Sequence, residues 1–153
     1  MQLSAEGLDL IKKSEGFRDR VYLDVAGFPT IGYGHLIKPH ESFPKAITEP
    51  QAATILSSDV QDAEQSVGRL VKVALTQGQF DALVDFCFNL GAGRLENSTL
   101  LRELNVGNYQ AAGEQMLAWD HAGGSVVAGL KGRREAELLL WTGASGAAQT
   151  AAA

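Results

Sequence analysis

Alternation with a period of two is concentrated in one stretch of this chain, SEGFRDRVYLDVAGFPTIGYGHL, and that confines its β-structure to a small N-terminal sheet. Val21, Leu23 and Val25 alternate with Arg20, Tyr22 and Asp24, the period of a half-buried strand. A second strand candidate begins at Thr30. Ala26-Gly27 and Pro29 lie between them and supply turn chemistry, so a hairpin is expected to set Asp24 and Thr30 side by side at one rim of the sheet. Beyond Pro44 the apolar residues recur at helical spacing, which predicts an α+β, mostly helical fold.

Local signals mark the helices. Ser4 is an N-cap candidate, with Leu3 and Leu8 spaced for a hydrophobic staple, and Gly16 suits the end of a short first helix. Thr48 to Gln51 reads as a capping box before a long helix carrying Ala52, Ile55, Leu56, Val60, Ala63 and Val67. Thr76 to Gln79 repeats the pattern and opens a helix through Phe80, Leu83, Val84 and Cys87, ended near Gly91 and Gly93. Ser98 or Thr99 caps a further helix that Gly107 stops, and Asn108 caps one running to Trp119 that Gly123-Gly124 breaks. The last helix is expected over about 131–141, with Gly143 past its end.

Glu15, Asp24 and Thr30 carry the chemistry. Eight residues separate the first pair and five the second. Two carboxyls and a hydroxyl on a turn-rich segment are what hydrolysis by water requires: an acid, a base and a group that holds the water. Glu15 falls at the negative end of the first helix, where the dipole favours a protonated acid, while Lys12, Lys13 and Arg18 act the other way.

Composition narrows the alternatives. A chain of 153 residues with 45% hydrophobic content is one domain's worth, here 1–143, followed by an Ala-rich tail over 144–153 that offers no apolar face and is expected to be flexible. A net charge of −5 argues against a nucleic-acid binder, although Lys131, Arg133 and Arg134 form a basic cluster whose plainest reading is a solvated helix face. No apolar run approaches the ~20 residues of a bilayer crossing, and MQLSAEGLDLIKK lacks a signal-peptide core, so a soluble cytoplasmic product is expected. Cys87 sits in the apolar run VDFCFNL and reads as a buried, inert thiol. His35, His40 and His121 show no metal-ligand spacing and read as structural, and neither metal nor cofactor is expected. Gly32-x-Gly34 is no phosphate loop, since no helix follows it.

The stretch from Ser14 to His35 resembles the phage-type lysozymes, or endolysins, of glycoside hydrolase family 24, whose signature is E, eight residues, D or C, five residues, T. FDALVDFCFNLGAGRLENSTLL resembles that family's central helix and following loop, and GLKGRREAELLLWTG its C-terminal helix, so the likeness covers 3–143. The resemblance implies a two-lobed lysozyme fold: a small N-terminal β-hairpin lobe, a larger helical lobe, a long helix joining them and a cleft between. It implies cleavage of the β-1,4 bond between N-acetylmuramic acid and N-acetylglucosamine in bacterial peptidoglycan. Glu15 is then the general acid, Asp24 the base or the charge that stabilises the transition state, and Thr30 the water-orienting group. Inversion is the implied outcome, with retention through an Asp24 nucleophile as the alternative. The family places Leu36, Phe88 and Ser98 at the cleft walls and Arg133 near them, paired with Glu15 or facing anionic wall peptides. A monomer held in the host cytoplasm until a holin opens the membrane is the implied biology. The rival readings are a catalytically inactive wall-binding or scaffold protein and a lytic transglycosylase.

Overall fold

The computed structural model describes residues 1–144, and the expectation for the tail beyond Ala144 lies outside them. The chain divides into two compact units, one spanning Ile11–Asp62 and the other joining Met1–Leu10 to the chain from Ala63 onward. Two helices cross that division: α1 (Ala5–Glu15) and the long α2 (Glu49–Leu70).

The unit from Ile11 to Asp62 is built on a three-stranded antiparallel sheet in the order β1 (Arg18–Leu23), β2 (Pro29–Gly32), β3 (His35–Leu36). The central strand is buried from Thr30 to Gly32, as a strand with neighbours on both sides should be. β1 departs from expectation. It is an edge strand with an irregularity between Arg18 and Tyr22, and its apolar residues Val21 and Leu23 are 44% and 67% exposed while Tyr22 is the partly covered one. Val25 lies beyond the strand, in the turn, and is also exposed. Period two announced a strand here, but the side on which cover lies depends on the neighbouring elements. The edge is closed in part by Ile47, whose N–H donates to Asp19 O at 2.8 Å, and carries Arg18, Asp19 and Arg20 in place of a bare apolar ribbon.

The larger unit is helical: α3 (Gln77–Leu90), α4 (Ala92–Glu96), α5 (Thr99–Asn105), α6 (Tyr109–Met116) and α7 (Ala128–Thr142), with a two-stranded hairpin of β4 (His121–Ala122) and β5 (Ser125–Val126) before α7. Helix α3 is buried without interruption from Phe80 to Cys87, the mark of a central helix with cover on all faces. Around it pack Leu95, Leu100, Leu104, Met116, Leu140 and Trp141. Cys87 is buried as expected, and burial pushes its thiol above the ordinary range.

The capping signals are realised. Ser4 Oγ accepts from Gly7 N at 3.1 Å, and its hydroxyl donates to Asp81, fixing the start of α1 to α3. Thr48 and Gln51 exchange their two hydrogen bonds ahead of α2, and Thr76 with Gln79 does the same for α3. Ser98 caps α5 and Gly143, at φ +75°, ends α7.

Five expectations change. Helix α6 stops at Met116, three residues short of Trp119, because Leu117 to Trp119 wind into tighter turns. Gly123 and Gly124, at φ +60° and +82°, are the tip of the β4–β5 hairpin and do not merely break a helix. Helix α7 begins at Ala128, earlier than 131, and α4 occupies what read as loop. The basic cluster is not a solvated face: Arg133 and Arg134 are buried, and only Lys131 is exposed. Arg133 donates to Asp85 through Nε (3.0 Å) and Nη2 (2.8 Å), and Arg134 pairs with Glu137 at 2.5 Å while lying over the Phe86 ring.

The helices approach closely where glycine permits it. A Cβ on Gly78 of α3 would stand 2.1 Å from the carbonyl oxygen of Leu140 in α7, a backbone atom that cannot swing aside. Gly78→Ala should therefore destabilise the protein by about 1–3 kcal/mol through overpacking. Denaturant unfolding measures it, and an unchanged midpoint would show that α3 and α7 separate without cost.

Candidate active site

Glu15, Asp24 and Thr30 all belong to the unit around the three-stranded sheet. Glu15 is the last residue of α1. Gly16, at φ +73°, donates to Lys12 O at 2.9 Å and turns the chain from helix into β1. The Glu15 carboxylate lies against the α-carbon of Gly34 in the β2–β3 turn, where a Cβ would come within 2.7 Å of Oε2. Gly34 also sits at φ +75°, so both its backbone and the acid beside it require glycine.

Asp24 follows β1 and organises the turn to β2. Its Oδ1 accepts from Ala26 N at 2.9 Å and Phe28 N at 2.8 Å, its main-chain oxygen accepts from Gly27 N, and its own N–H donates to Phe28 O. Thr30 Oγ1 also donates to Phe28 O, at 2.9 Å. The peptide groups of Phe28 thus bind both Asp24 and Thr30. Tyr22 pairs with Thr30 and Leu23 with Pro29, which places Asp24 diagonal to Thr30 at the turn end of the β1–β2 hairpin. With its hydrogen committed to Phe28 O, the buried Thr30 hydroxyl presents only lone pairs, suited to accept a hydrogen from water. With Oδ1 committed to the turn, Oδ2 is the Asp24 oxygen that can act as a base.

Behind the sheet His35 is held between two carboxylates, Nδ1 to Asp59 at 2.8 Å and Nε2 to Glu41 at 3.0 Å. Burial alone would lower its pKa, but hydrogen bonds and charge from Asp59 and Glu41 outweigh that and raise it. Asp59 is raised by burial, whereas Glu41 is lowered, first by the hydrogen bond from Lys38 N. Tyr33 is raised by burial and by Glu49. The expectation that these histidines are structural holds for His35, which ties β3 to α2 and to the 38–41 turn next to Gly34.

This arrangement can be compared with known proteins. The phage lysozyme family model matches residues 12–137. The chain belongs to the phage lysozyme family. It is 44% identical over 146 residues to the endolysin of Bacillus phage B103, covering 92% of this chain but 54% of that protein, so it spans about half the length of that relative. To the endolysin of Salmonella phage P22 it is 40% identical over 126 residues, 80% of this chain and 86% of the other. Among solved structures, the endolysin from Escherichia coli O157:H7 phage FAHEc1 superposes with a TM-score of 0.84 at 37% identity, covering 92% and 93% of the two chains.

Other positions that the phage lysozyme resemblance named are distributed between the two units. Leu36 pairs with Thr30 across β2 and β3 and is 55% exposed beside it. Phe88, Ser98 and Arg133 lie in the helical unit. Phe88 is partly buried against the core, and the Ser98 hydroxyl is buried and spent on Leu95 O and Leu101 N. Arg133 is held by Asp85. Sequence reasoning missed Gly34, Phe28 and the Asp59–His35–Glu41 cluster. The glycine was visible as half of G-x-G, but its contact with Glu15 joins residues 19 apart in sequence and has no local signature.

The histidine gives a pH signature. A raised pKa in the folded state means that the stabilisation is complete below the unfolded value of about 6.5 and is lost as pH rises through the folded value. His35→Asn should cost roughly 2 kcal/mol near pH 6 and distinctly less near pH 9. Equal losses at both would mean that His35 is neutral in the fold.

Proposed function

We propose that this protein is a peptidoglycan-cleaving lysozyme of the endolysin type, hydrolysing the β-1,4 bond between N-acetylmuramic acid and N-acetylglucosamine. The observation that carries the proposal is the shared Phe28 backbone: one peptide-bonded turn holds a carboxylate and a lone-pair-bearing hydroxyl, with a second carboxyl, Glu15, seated on Gly34 of the same unit. In the reaction Glu15 gives its proton to the glycosidic oxygen as the bond to the anomeric carbon breaks. Asp24 takes a proton from a water whose hydrogen Thr30 holds, and the oxygen of that water forms the new bond from the opposite side. The product is a reducing sugar of inverted configuration. A lytic transglycosylase uses its acid without a water-holding pair, and the Asp24–Thr30 arrangement favours hydrolysis over that route.

The family likeness supports one biological setting for this reading. Among the described residues no helix is long and apolar enough to cross a membrane. The chain acts on periplasmic peptidoglycan as a monomer, after a holin opens the route from the cytoplasm, and its action lyses the host at the end of a phage cycle. The substrate-contacting residue carried into this reading is Leu36, for its exposure beside Thr30. Phe88, Ser98 and Arg133 are further substrate-side candidates in this reading, with the Arg133 guanidinium oriented by Asp85 and the Ser98 hydroxyl by backbone.

Digestion of purified peptidoglycan followed by mass spectrometry tests the proposal. Reducing muramic ends are expected, and Glu15→Gln should lower their rate of formation by at least ~10²-fold. Anhydro ends would make the protein a transglycosylase, and no cleavage would make it a wall-binding relative.

A further inference from the structure

The hairpin that carries Asp24 ends in a run without charge, Val25-Ala26-Gly27-Phe28-Pro29, and it is exposed throughout. Within it Phe28 is 59% exposed, a large apolar ring left in water where a short turn needs no ring. Its backbone is hydrogen-bonded through both the N–H and the carbonyl. The N–H is bound to Asp24 Oδ1, and the carbonyl accepts from both Asp24 N and Thr30 Oγ1. Gly27, at φ +85°, fixes the turn before it. The position of the Phe28 α-carbon is thereby fixed relative to Asp24 and Thr30. Phe28 lies immediately before β2, two residues before Thr30, and its carbonyl oxygen accepts from both Asp24 N and Thr30 Oγ1, which keeps it close to Thr30 and to Leu36, the cross-strand partner of Thr30. Asp24, Phe28 and Leu36 are thus all neighbours of Thr30, and the two apolar side chains among them are exposed.

We propose that the exposed ring of Phe28 is a saccharide platform of this site, taking the apolar face of the N-acetylhexosamine next to the cut bond. The inference rests on the lysozyme reading above and assigns it a specificity-determining residue. Sugars suit such a ring because their axial C–H groups make a flat apolar face, and an aromatic surface covers it at small entropic cost. The occupant follows from continuity. A glycan chain that reaches Asp24 comes close to the residue whose peptide holds Asp24. An anionic lipid surface fits less well, since the tip offers no cation between Leu23 and Pro29.

Peptide-free glycan strands, prepared by amidase treatment of peptidoglycan, are the probe. Wild type, Phe28→Ala and Phe28→Trp are compared for KM and kcat on these strands and on intact sacculi, with thermal midpoints recorded. Phe28→Ala should raise KM on the peptide-free strands by about tenfold, the scale of one lost aromatic contact, with a much smaller fall in kcat. Phe28→Trp should restore KM. Melting should be nearly unchanged, because the ring is outside the core. An unchanged KM in Phe28→Ala overturns the proposal, as does a loss confined to kcat or to thermal stability, or one seen with sacculi but not with peptide-free strands. Gain of binding to anionic phosphatidylglycerol vesicles by the wild type, removed in Phe28→Ala without a KM change, would assign the ring to a membrane. A wild type that cleaves neither substrate defeats the lysozyme reading itself, and is thereby distinguished from failure of the Phe28 assignment.

Discussion

The hydrogen bonds between Asp24 Oδ1 and the backbone of the turn from Ala26 to Phe28 are the interaction on which the site depends. A carboxylate at the end of an edge strand would otherwise swing in solvent, and its loop would sample many conformations at an entropic cost of roughly 1–2 kcal/mol per residue fixed. Tying one oxygen to two amide hydrogens removes that freedom and leaves the second oxygen for chemistry. The same turn presents the Phe28 carbonyl to Thr30, so the hydroxyl's direction is set by the residue that the carboxylate has already placed. Asp24 and Thr30 are coupled through the Phe28 backbone.

Glu15 is subject to a steric constraint at Gly34. The end of α1 and the β2–β3 turn come together only because Gly34 has no Cβ. His35, next in sequence, is clamped by Asp59 and Glu41, so the turn that backs the acid is itself fastened to α2 and to the 38–41 turn. Preorganisation of this type costs stability where strained or polar groups are brought together, and it spares reorganisation during the reaction. The ion pairs of the helical unit raise a related question, since Asp85, Arg134 and Glu137 are fully enclosed and buried pairs stabilise weakly once desolvation is counted. Their geometric consequence is clear: Arg133 and Arg134, adjacent in sequence, are directed inward and cannot serve as a basic surface.

What the sequence made legible follows from the range of each interaction. Capping boxes at Thr48 and Thr76 are contained in four residues, and both were read correctly with their helices. Glu15, Asp24 and Thr30 were legible from spacing and from family likeness, since they lie on one short segment. The direction in which β1 faces was not legible, because cover comes from elements far along the chain, and Val21 and Leu23 stand in water despite perfect alternation. A Gly-Gly pair ends a helix as readily as it turns a hairpin, and which of the two Gly123-Gly124 does depends on the pairing of the residues that flank it. The burial of Arg133 and Arg134 requires Asp85 and Glu137 as partners, and the Asp85 pairing spans 48 residues. The close approaches at Gly34 and Gly78 likewise depend on residues distant in sequence, and a glycine alone does not announce what will press against it.

The central claim is that Asp24 and Thr30 hold a water that attacks directly, with no covalent sugar–enzyme intermediate. The anomeric configuration of the first-formed product tests this most directly, read by proton NMR within the first minutes of digestion, before mutarotation. Attack by the held water on a β-linkage predicts the α-anomer at early times, equilibrating later. Initial formation of the β-anomer would contradict the account and require Asp24 to act as a nucleophile.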